Sequence, residues 1–380
     1  MKQLIKKLKV ITIVGTRPEI IRLSRIMTLL DQYTNHIIAH TGQNYDYELN
    51  EIFFKDLELR KPDYFFNIDT SSLGSAVGDI IKKSEEVLRK EKPDALLVLG
   101  DTNSCLSAYM AKRMHIPIFH MEAGNRCFDF NVPEEINRRI IDHIADFNLV
   151  YSEHARRHLI SEGLPHRRIY LTGSPMNEVL NYYLPKIKKS KILKELLLKP
   201  KFYFIVSVHR EENVDNPENL KKILNVLKTL SNFYNYPIIV STHPRTRKRV
   251  ENLNKLKNDK NIKFHKPLGF IDYIFLQLNA ACTISDSGTI SEESAMLSFP
   301  AISLRESMER PEAQDAGSII LSGFDENIVL QSINAVINQV KNFKRLDPPL
   351  EYKIDNTSWR VLNLILGNTK LSNIWNGIKN

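Results

Sequence analysis

Two doubly wound α/β domains are what this chain predicts, on three observations. Short β-branched runs alternate with helix-period segments from end to end, the rhythm is the same in both halves, and a Pro-bounded, lysine-rich stretch at 182–201 separates them. Alternating strands and helices imply parallel sheets with helices on both faces. At 380 residues, 42% of them hydrophobic, the chain also exceeds what one core usually covers. We therefore expect a Rossmann-like domain over 1–183, a second over 184–357, a C-terminal segment over 358–380, and a site in the cleft that the two domains face.

The remaining composition excludes several classes. Three scattered cysteines, Cys105, Cys127 and Cys282, form no CxxC pair and no Cys/His cluster, so neither a disulfide framework nor a metal is indicated, and a reducing cytoplasmic setting is expected. The apolar stretch Val10–Val14 is too short for a signal-peptide core or a membrane span. A net charge of +9 gathers largely at Lys186–Lys201 and Arg245–Arg249. No aromatic residues interleave with the first run, which reads as a solvated helix face, so no nucleic-acid partner is expected. The fourteen glycines never occur as GxG, and GxxxxGK[ST] is absent, which removes the common dinucleotide and P-loop readings and leaves no cofactor indicated.

Taken in order, the first strand, Val10–Val14, ends in Gly15-Thr16-Arg17-Pro18-Glu19-Ile20-Ile21-Arg22. This is a Gly turn, a hydroxyl able to cap, and a Pro near the first helical position; helix N-terminal amides bind anions, and Arg17 would hold an oxygen pair. It is also an ordinary strand-to-helix turn. Strands at Ile37–Thr41 and Ala95–Leu99 follow, the latter ending in Gly100-Asp101-Thr102-Asn103, where Asp101 is either a helix N-cap or a site acid. The strand Ile116–Phe119 runs into His120-Met121-Glu122, and Pro133-Glu134-Glu135 opens a helix carrying Asn137, Arg138 and Arg139. Acids and arginines crowded on a strand end occupy the place where open α/β sheets bind ligands, although first-turn acids also suit a helix dipole. Phe147–Tyr151 and Ile169–Thr172 complete the half.

The second half opens with Phe202–Val208 and then His209-Arg210-Glu211-Glu212-Asn213. A helix at Leu220–Leu230 and strands at Pro237–Thr242 and Ile262–Phe264 lead to Cys282–Ser285. The strand–Gly turn–helix device recurs there as Ser285-Asp286-Ser287-Gly288-Thr289-Ile290-Ser291-Glu292-Glu293. Ser287, Gly288 and Thr289 would aim amides and hydroxyls at a diphosphate, with Glu293 one turn on to accept from ribose hydroxyls. A capping box accounts for part of this pattern. Strands at Ala301–Leu304 and Ile319–Leu321, the loop Glu309-Arg310-Pro311-Glu312 and a helix at Asn327–Val340 finish the half.

GTRPE, the GDT start, HMEAG followed by PEExNR, HREEN, SDSGT-x-x-EE and ERPE occur together and in order, and over nearly the whole chain they resemble the non-hydrolysing UDP-N-acetylglucosamine 2-epimerases. The resemblance implies a two-domain fold like that of the GT-B glycosyltransferases, a homodimer, and a C-terminal helix, here Trp359–Asn380, packing back on the first domain. It implies inversion of C2 of UDP-GlcNAc to give UDP-ManNAc for surface polysaccharide precursors, by anti elimination of UDP and its re-addition to 2-acetamidoglucal, with no metal or nicotinamide. By motif, Asp101, Glu122 and Glu134 resemble the acid/base carboxylates and His209 the essential His. Arg17, Arg22, Arg138, His209, Tyr273, Ser287, Gly288, Thr289, Glu293 and Arg310 resemble the UDP-sugar contacts, with Tyr273 near the uracil. Clustered carboxylates repel, so at least one is expected to titrate high.

The sequence departs from the family pattern in three places. Arg22 stands where a Lys is usual, a change that alters a point-charge role. The loop after Glu122 reads Asn125-Arg126-Cys127-Phe128-Asp129 and is shorter, similar to the branch that makes UDP-N-acetyl-L-fucosamine from a 2,6-dideoxy-L-talose precursor or epimerises diacetamido uronates. His40-Thr41-Gly42-Gln43-Asn44 keeps only the first glutamine of the segment that binds an activating UDP-GlcNAc, and Glu211 replaces an arginine, which speaks against an allosteric site. A glycosyltransferase of the same fold would keep the SDSGT site without needing three acidic strand ends, and a nucleotide-sugar sensor would not need those acids to converge.

Overall fold

Among the described residues, seven parallel strands form the first sheet: β1 (Lys9–Val14), β2 (Asn35–His40), β3 (Tyr64–Phe65), β4 (Ala95–Leu99), β5 (Ile118–Met121), β6 (Phe147–Val150) and β7 (Ile169–Leu171), in the order β3-β2-β1-β4-β5-β6-β7. The computed structural model describes residues 6–42, 53–241, 259–343 and 348–378. Gln43, Asn44, Thr242 and the basic run Arg245–Arg249 lie outside them. The helices of this unit are α1 (Arg17–Tyr33), α2 (Leu73–Glu91), α3 (Ser107–Arg113), α4 (Pro133–Ile144), α5 (Glu153–Ser161) and the first half of α6 (Met176–Ile187), which runs on into the second unit. Ile11, Ile13, Leu96, Val98 and Ile118 pack on Val87, Leu88, Ala108, Ala111 and Ile141 from the helices. Each large aliphatic side chain buried this way stabilises the unit by roughly 1.5–3 kcal/mol.

Two details differ from the sequence expectation. β5 starts at Ile118, not Ile116, because Pro117 has no N–H to give to the ladder; its carbonyl still accepts from the Leu96 amide at 2.9 Å. β3 is a two-residue edge strand registering Tyr64 with Ala39, too short to show an alternation in sequence.

The second unit, residues 182–353, holds a second parallel sheet: β8 (Phe204–Ser207), β9 (Ile238–Ser241), β10 (Ile262–His265), β11 (Cys282–Ser285), β12 (Ala301–Ser303) and β13 (Ile320–Leu321), ordered β10-β9-β8-β11-β12-β13. Its principal helices are α7 (Pro217–Tyr234), α8 (Phe270–Asn279), α9 (Ile290–Leu297) and α10 (Glu326–Phe343). One sheet face packs on Leu220, Leu224 and Leu227 of α7 and on Val329, Ile333 and Val336 of α10. The other packs on Leu276 of α8 and on Ile192 and Leu198 from the lysine-rich stretch. Lys188, Lys189, Lys191, Lys194 and Lys199 are exposed, so that stretch is amphipathic, its apolar side serving the core.

The last helix, α11 (Thr357–Trp375), belongs to the first unit. Trp359 meets the Tyr33 ring of α1 edge-on at 5.3 Å, Trp375 meets Phe147 at 6.2 Å, and the Thr357 hydroxyl donates to the Thr172 carbonyl at 3.0 Å. Among the described residues, no helix is long and apolar enough to cross a membrane.

Candidate active site

In each sheet the order reverses between two neighbouring strands, β1 and β4 in the first unit and β8 and β11 in the second. The loops leaving their carboxyl ends diverge to opposite faces and open a crevice there. Every motif singled out in the sequence leaves one of these four strand ends or a neighbouring one.

In the first unit, Glu19 closes the β1 turn. It sits in the first turn of α1, is buried, and accepts from the Gly15 amide and from the hydroxyls of Thr102 and Ser104, which tie the β1 turn to the loop after β4. Thr16, expected to cap α1, makes no side-chain capping bond. Burial pushes the Glu19 carboxyl up to about 7 despite those hydrogen bonds. Because its folded value lies above its unfolded one, the folded state binds the extra proton, and the associated stability is present below about pH 4.5 and lost as pH rises through 7. Glu19→Gln is therefore expected to flatten the fall in urea midpoint between about pH 5 and about pH 8; an unchanged slope would refute this origin.

Asp101 does not cap. Thr102 precedes the short helical turn Asn103–Leu106 without a side-chain bond, and the Asp101 carboxylate instead receives Arg138 Nε at 3.0 Å and Nη2 at 2.5 Å. Arg138 also donates to Glu135 at 2.9 Å, and Asn137 holds the Asp101 carbonyl at 2.9 Å, so α4 grips the end of β4. Glu135 is buried: burial raises its carboxyl, but the Cys127 amide and the Arg138 charge outweigh this and hold it below its ordinary value. Glu134, beside it in the first turn of α4, is half-buried.

Glu122 leaves β5 with φ of 65°, a left-handed conformation that non-glycine residues adopt rarely and that marks functional sites when the surroundings enforce it. Its carboxylate lies 3.2 Å from Arg22 Nη1 and accepts from Asn125 at 3.3 Å. Arg22, 2% exposed, also lies over the Tyr151 ring. Gly100, at φ 73°, presents no β-carbon beside Glu122, where one would lie 4.0 Å from the carboxylate. Adjacent strands thus present Asp101 and Glu122 side by side, each held by an arginine. Arg17 lies over the Phe53 ring at 5.6 Å.

Behind Glu122 is a buried ionic network. Asp142 of α4, fully buried, receives the Gly124 amide, lies 3.0 Å from His120 Nδ1 and accepts from Arg126 Nη1 at 2.7 Å. Arg126 continues to Glu162 at 2.6 and 2.8 Å. His120 Nε2 faces the Gly100 carbonyl at 3.0 Å, linking β5 back to β4.

In the second unit, Ser287 and Thr289 exchange a hydroxyl contact at 3.0 Å, and the Ser287 hydroxyl accepts the Thr289 amide at 3.3 Å. Thr289 precedes α9 without a capping bond, so the capping-box reading does not hold here. Gly288 lies close under a guanidinium: a β-carbon there would lie 2.5 Å from Arg310 Nη1, so any larger residue would displace that end of Arg310. Arg310 Nε lies 3.4 Å from Glu292, Arg210 donates to Glu309 at 2.7 Å, and Arg305 donates to both oxygens of Glu309. Two guanidinium groups therefore stand at the Ser-Gly-Thr turn, a fit for an anion. Glu293 accepts from Gln277 at 2.8 Å, and burial, followed by the Glu293 charge, pushes the Tyr273 hydroxyl above its ordinary range. His209 is half exposed, with Nδ1 3.3 Å from Asp286.

The structure thus places Arg22 on Glu122, Arg138 on Asp101, and Gly288 against Arg310, and it sets Tyr273 and Glu293 together. Glu19, Arg210, Gln277, Asp286 and Glu309 were quoted or passed over in the sequence without a role. Glu19, Arg210, Asp286 and Glu309 had the signal of lying within the GTRPE, HREEN, SDSGT and ERPE motifs, which does not tell a ligand contact from a support, whereas Gln277, inside α8, had none. Among the described residues no cluster of His, Cys, Asp or Glu is arranged to hold a metal.

Comparison with known proteins bears on this geometry. A family model described as UDP-N-acetylglucosamine 2-epimerase matches residues 29–366. A solved structure of the UDP-N-acetylglucosamine 2-epimerase from Rickettsia bellii is 50% identical, with TM-score 0.91 over 97% of this chain and 99% of that one. The Methanocaldococcus jannaschii UDP-GlcNAc 2-epimerase, solved with UDP-GlcNAc and UDP, is 34% identical, with TM-score 0.87 over 94% and 99% of the two chains. A UDP-2,3-diacetamido-2,3-dideoxy-D-glucuronate 2-epimerase from Pseudomonas aeruginosa is 32% identical over 86% of this chain and 91% of its own.

Proposed function

The chain belongs to the UDP-N-acetylglucosamine 2-epimerase family, and from that membership we propose that it interconverts UDP-GlcNAc and UDP-ManNAc without hydrolysis. The observation that carries the chemistry is the pair Asp101 and Glu122, held side by side on adjacent strand ends by Arg138 and Arg22. A carboxylate removes the C2 proton while the C1–O bond to UDP breaks, giving 2-acetamidoglucal. A second acid then returns a proton to the opposite face of C2 as UDP adds back to C1. The C2 proton is not acidic, so the barrier falls only if the base is positioned and the leaving diphosphate is stabilised as charge develops on it.

The first unit supplies the proton-transfer groups, Asp101, Glu122 and Glu134. The second supplies the nucleotide contacts: Ser287, Gly288, Thr289 and Arg310 for the diphosphate, Glu293 for ribose, Tyr273 beside the base, and His209 toward the diphosphate. Arg17 adds a cation at the β1 turn. Every step is one of proton transfer and electrostatic stabilisation by these side chains. The protein acts as a homodimer in the cytoplasm and supplies precursors for surface polysaccharide; sedimentation of the purified chain tests its oligomeric state.

The reading is tested by incubating the protein with UDP-GlcNAc in heavy water. Deuterium at C2 of both sugar nucleotides, with no net release of UDP, is expected. Absence of exchange in UDP-GlcNAc, or exchange confined to a diacetamido uronate or a 6-deoxy sugar, would overturn the substrate assignment.

A further inference from the structure

The Asp286 carboxylate accepts from two backbone amides and one side chain. It is fully buried at the end of β11 and accepts from the His209 amide at 3.1 Å through each oxygen, from the Arg210 amide at 3.0 Å and from Asn213 Nδ2 at 3.0 Å. Both the Arg210 amide and Asn213 are bound by Oδ2. The other oxygen, Oδ1, shares the His209 amide and lies 3.3 Å from the Nδ1 atom of the His209 ring.

The consequence is geometric. The two amide bonds fix the backbone of His209 against β11, and Asn213, one helical turn on, fixes the rotation of the carboxylate. The carboxylate is anchored by main chain and fully enclosed, whereas the ring it faces is half exposed. An ionised carboxylate only accepts hydrogen bonds, so a hydrogen bond across this 3.3 Å contact requires the proton to sit on Nδ1. In a neutral imidazole the second nitrogen then carries none.

We propose that Asp286 is the positioning residue for His209, holding the imidazole as its Nδ1–H tautomer so that Nε2 is the atom turned to the UDP-sugar. Resting on the function proposed above, it says how the essential His is oriented and which nitrogen works. Nε2 then accepts in the neutral ring and donates in the imidazolium, as required of a group that meets a departing diphosphate. The bonds to the His209 and Arg210 amides would by themselves make Asp286 a turn clamp, so the test must read the ring and not only the fold.

The test has two independent arms. In the first, ¹⁵N spectra of the wild-type protein report the tautomer of His209, with no need for activity: a protonated Nδ1 in the neutral ring is expected, and a protonated Nε2 would overturn the proposal. In the second, Asp286→Asn keeps an oxygen for the amides but lets the new NH₂ donate to Nδ1, forcing the opposite tautomer. We expect kcat for UDP-GlcNAc to fall between about 10²-fold and the roughly 10⁴-fold loss of a catalytic ring left in the wrong tautomer, with KM and UDP affinity within about twofold. In a His209→Ala background the same substitution should cost little further. An unchanged kcat, or an equal loss with His209 absent, would assign Asp286 to the fold alone. If the wild-type enzyme epimerises no UDP-HexNAc, the functional reading falls while the tautomer measurement still stands or fails by itself.

Discussion

Glu122→Gln is expected to lower the rate of C2 hydrogen exchange by about 10³-fold, within the range supplied by a positioned general acid or base, while UDP affinity stays within about twofold. The substitution suits the site. Glutamine keeps one oxygen, which can face Arg22 Nη1 while the NH2 takes the place of the oxygen that accepts from Asn125, so a buried guanidinium retains an acceptor, whereas Glu122→Ala would remove a partner of a buried charge and confound chemistry with stability. The backbone φ of 65° is retained because it is set by the ladder bond from Gly100 to the Met121 carbonyl and by the turn into Gly124, where a β-carbon would lie 2.4 Å from the Ala155 carbonyl oxygen. Exchange followed by NMR and UDP binding followed by calorimetry separate the two terms. Turnover preserved in the variant would remove Glu122 from the proton-transfer path.

Asp142→Ala is expected to cost about 3–5 kcal/mol of stability, the penalty for breaking one side of a buried ion pair. Asp142 faces Arg126, His120 and the Gly124 amide with no access to water, so His120 and the amide lose their partner and Arg126 loses one of its two carboxylates. Arg126 keeps Glu162, which is why the loss is not larger. The network also has a pH signature. Burial raises the Asp142 carboxyl, but His120 and Arg126 together outweigh it and hold the group below its ordinary value. A depressed folded value means the stabilisation is present above the unfolded carboxylate range, near pH 4, and is lost as pH falls below it. Urea midpoints should therefore drop on acidification in the wild type and much less in Asp142→Ala. A variant that melts like the wild type at neutral pH would show that the network is dispensable.

The two predictions touch the same stretch, residues 120–142, and it shows how far the sequence could be read. Glu122 was legible because it follows an apolar run and meets a motif. Asp142 was not, being twenty residues on in the last turn of a helix, where nothing local marks an acid as buried. The same holds for Arg126. In sequence, the Asn125-Arg126-Cys127 run looked like a substrate-facing variation, yet the Arg126 side chain is spent on Asp142 and Glu162, and Cys127 lies against Glu135. Of that run, Asn125 is the residue that touches Glu122.

The strand ends carrying GTRPE, GDT, HMEAG, HREEN and SDSGT could be placed from sequence because parallel strands buried on both faces are continuous apolar runs, and such runs end abruptly where the polar loops begin. The doubly wound class follows from that alternation, and the family follows from the order of the motifs. What only the tertiary structure decided is the partner of each polar group. Arg138 grips Asp101 across 37 residues, Arg22 reaches Glu122 across the turn-to-strand gap, and Asp286 meets His209 from 77 residues away. Burial makes such pairings matter, since a charge removed from water must find its counterpart wherever the chain has brought it. Spacing along the sequence carries no record of that distance.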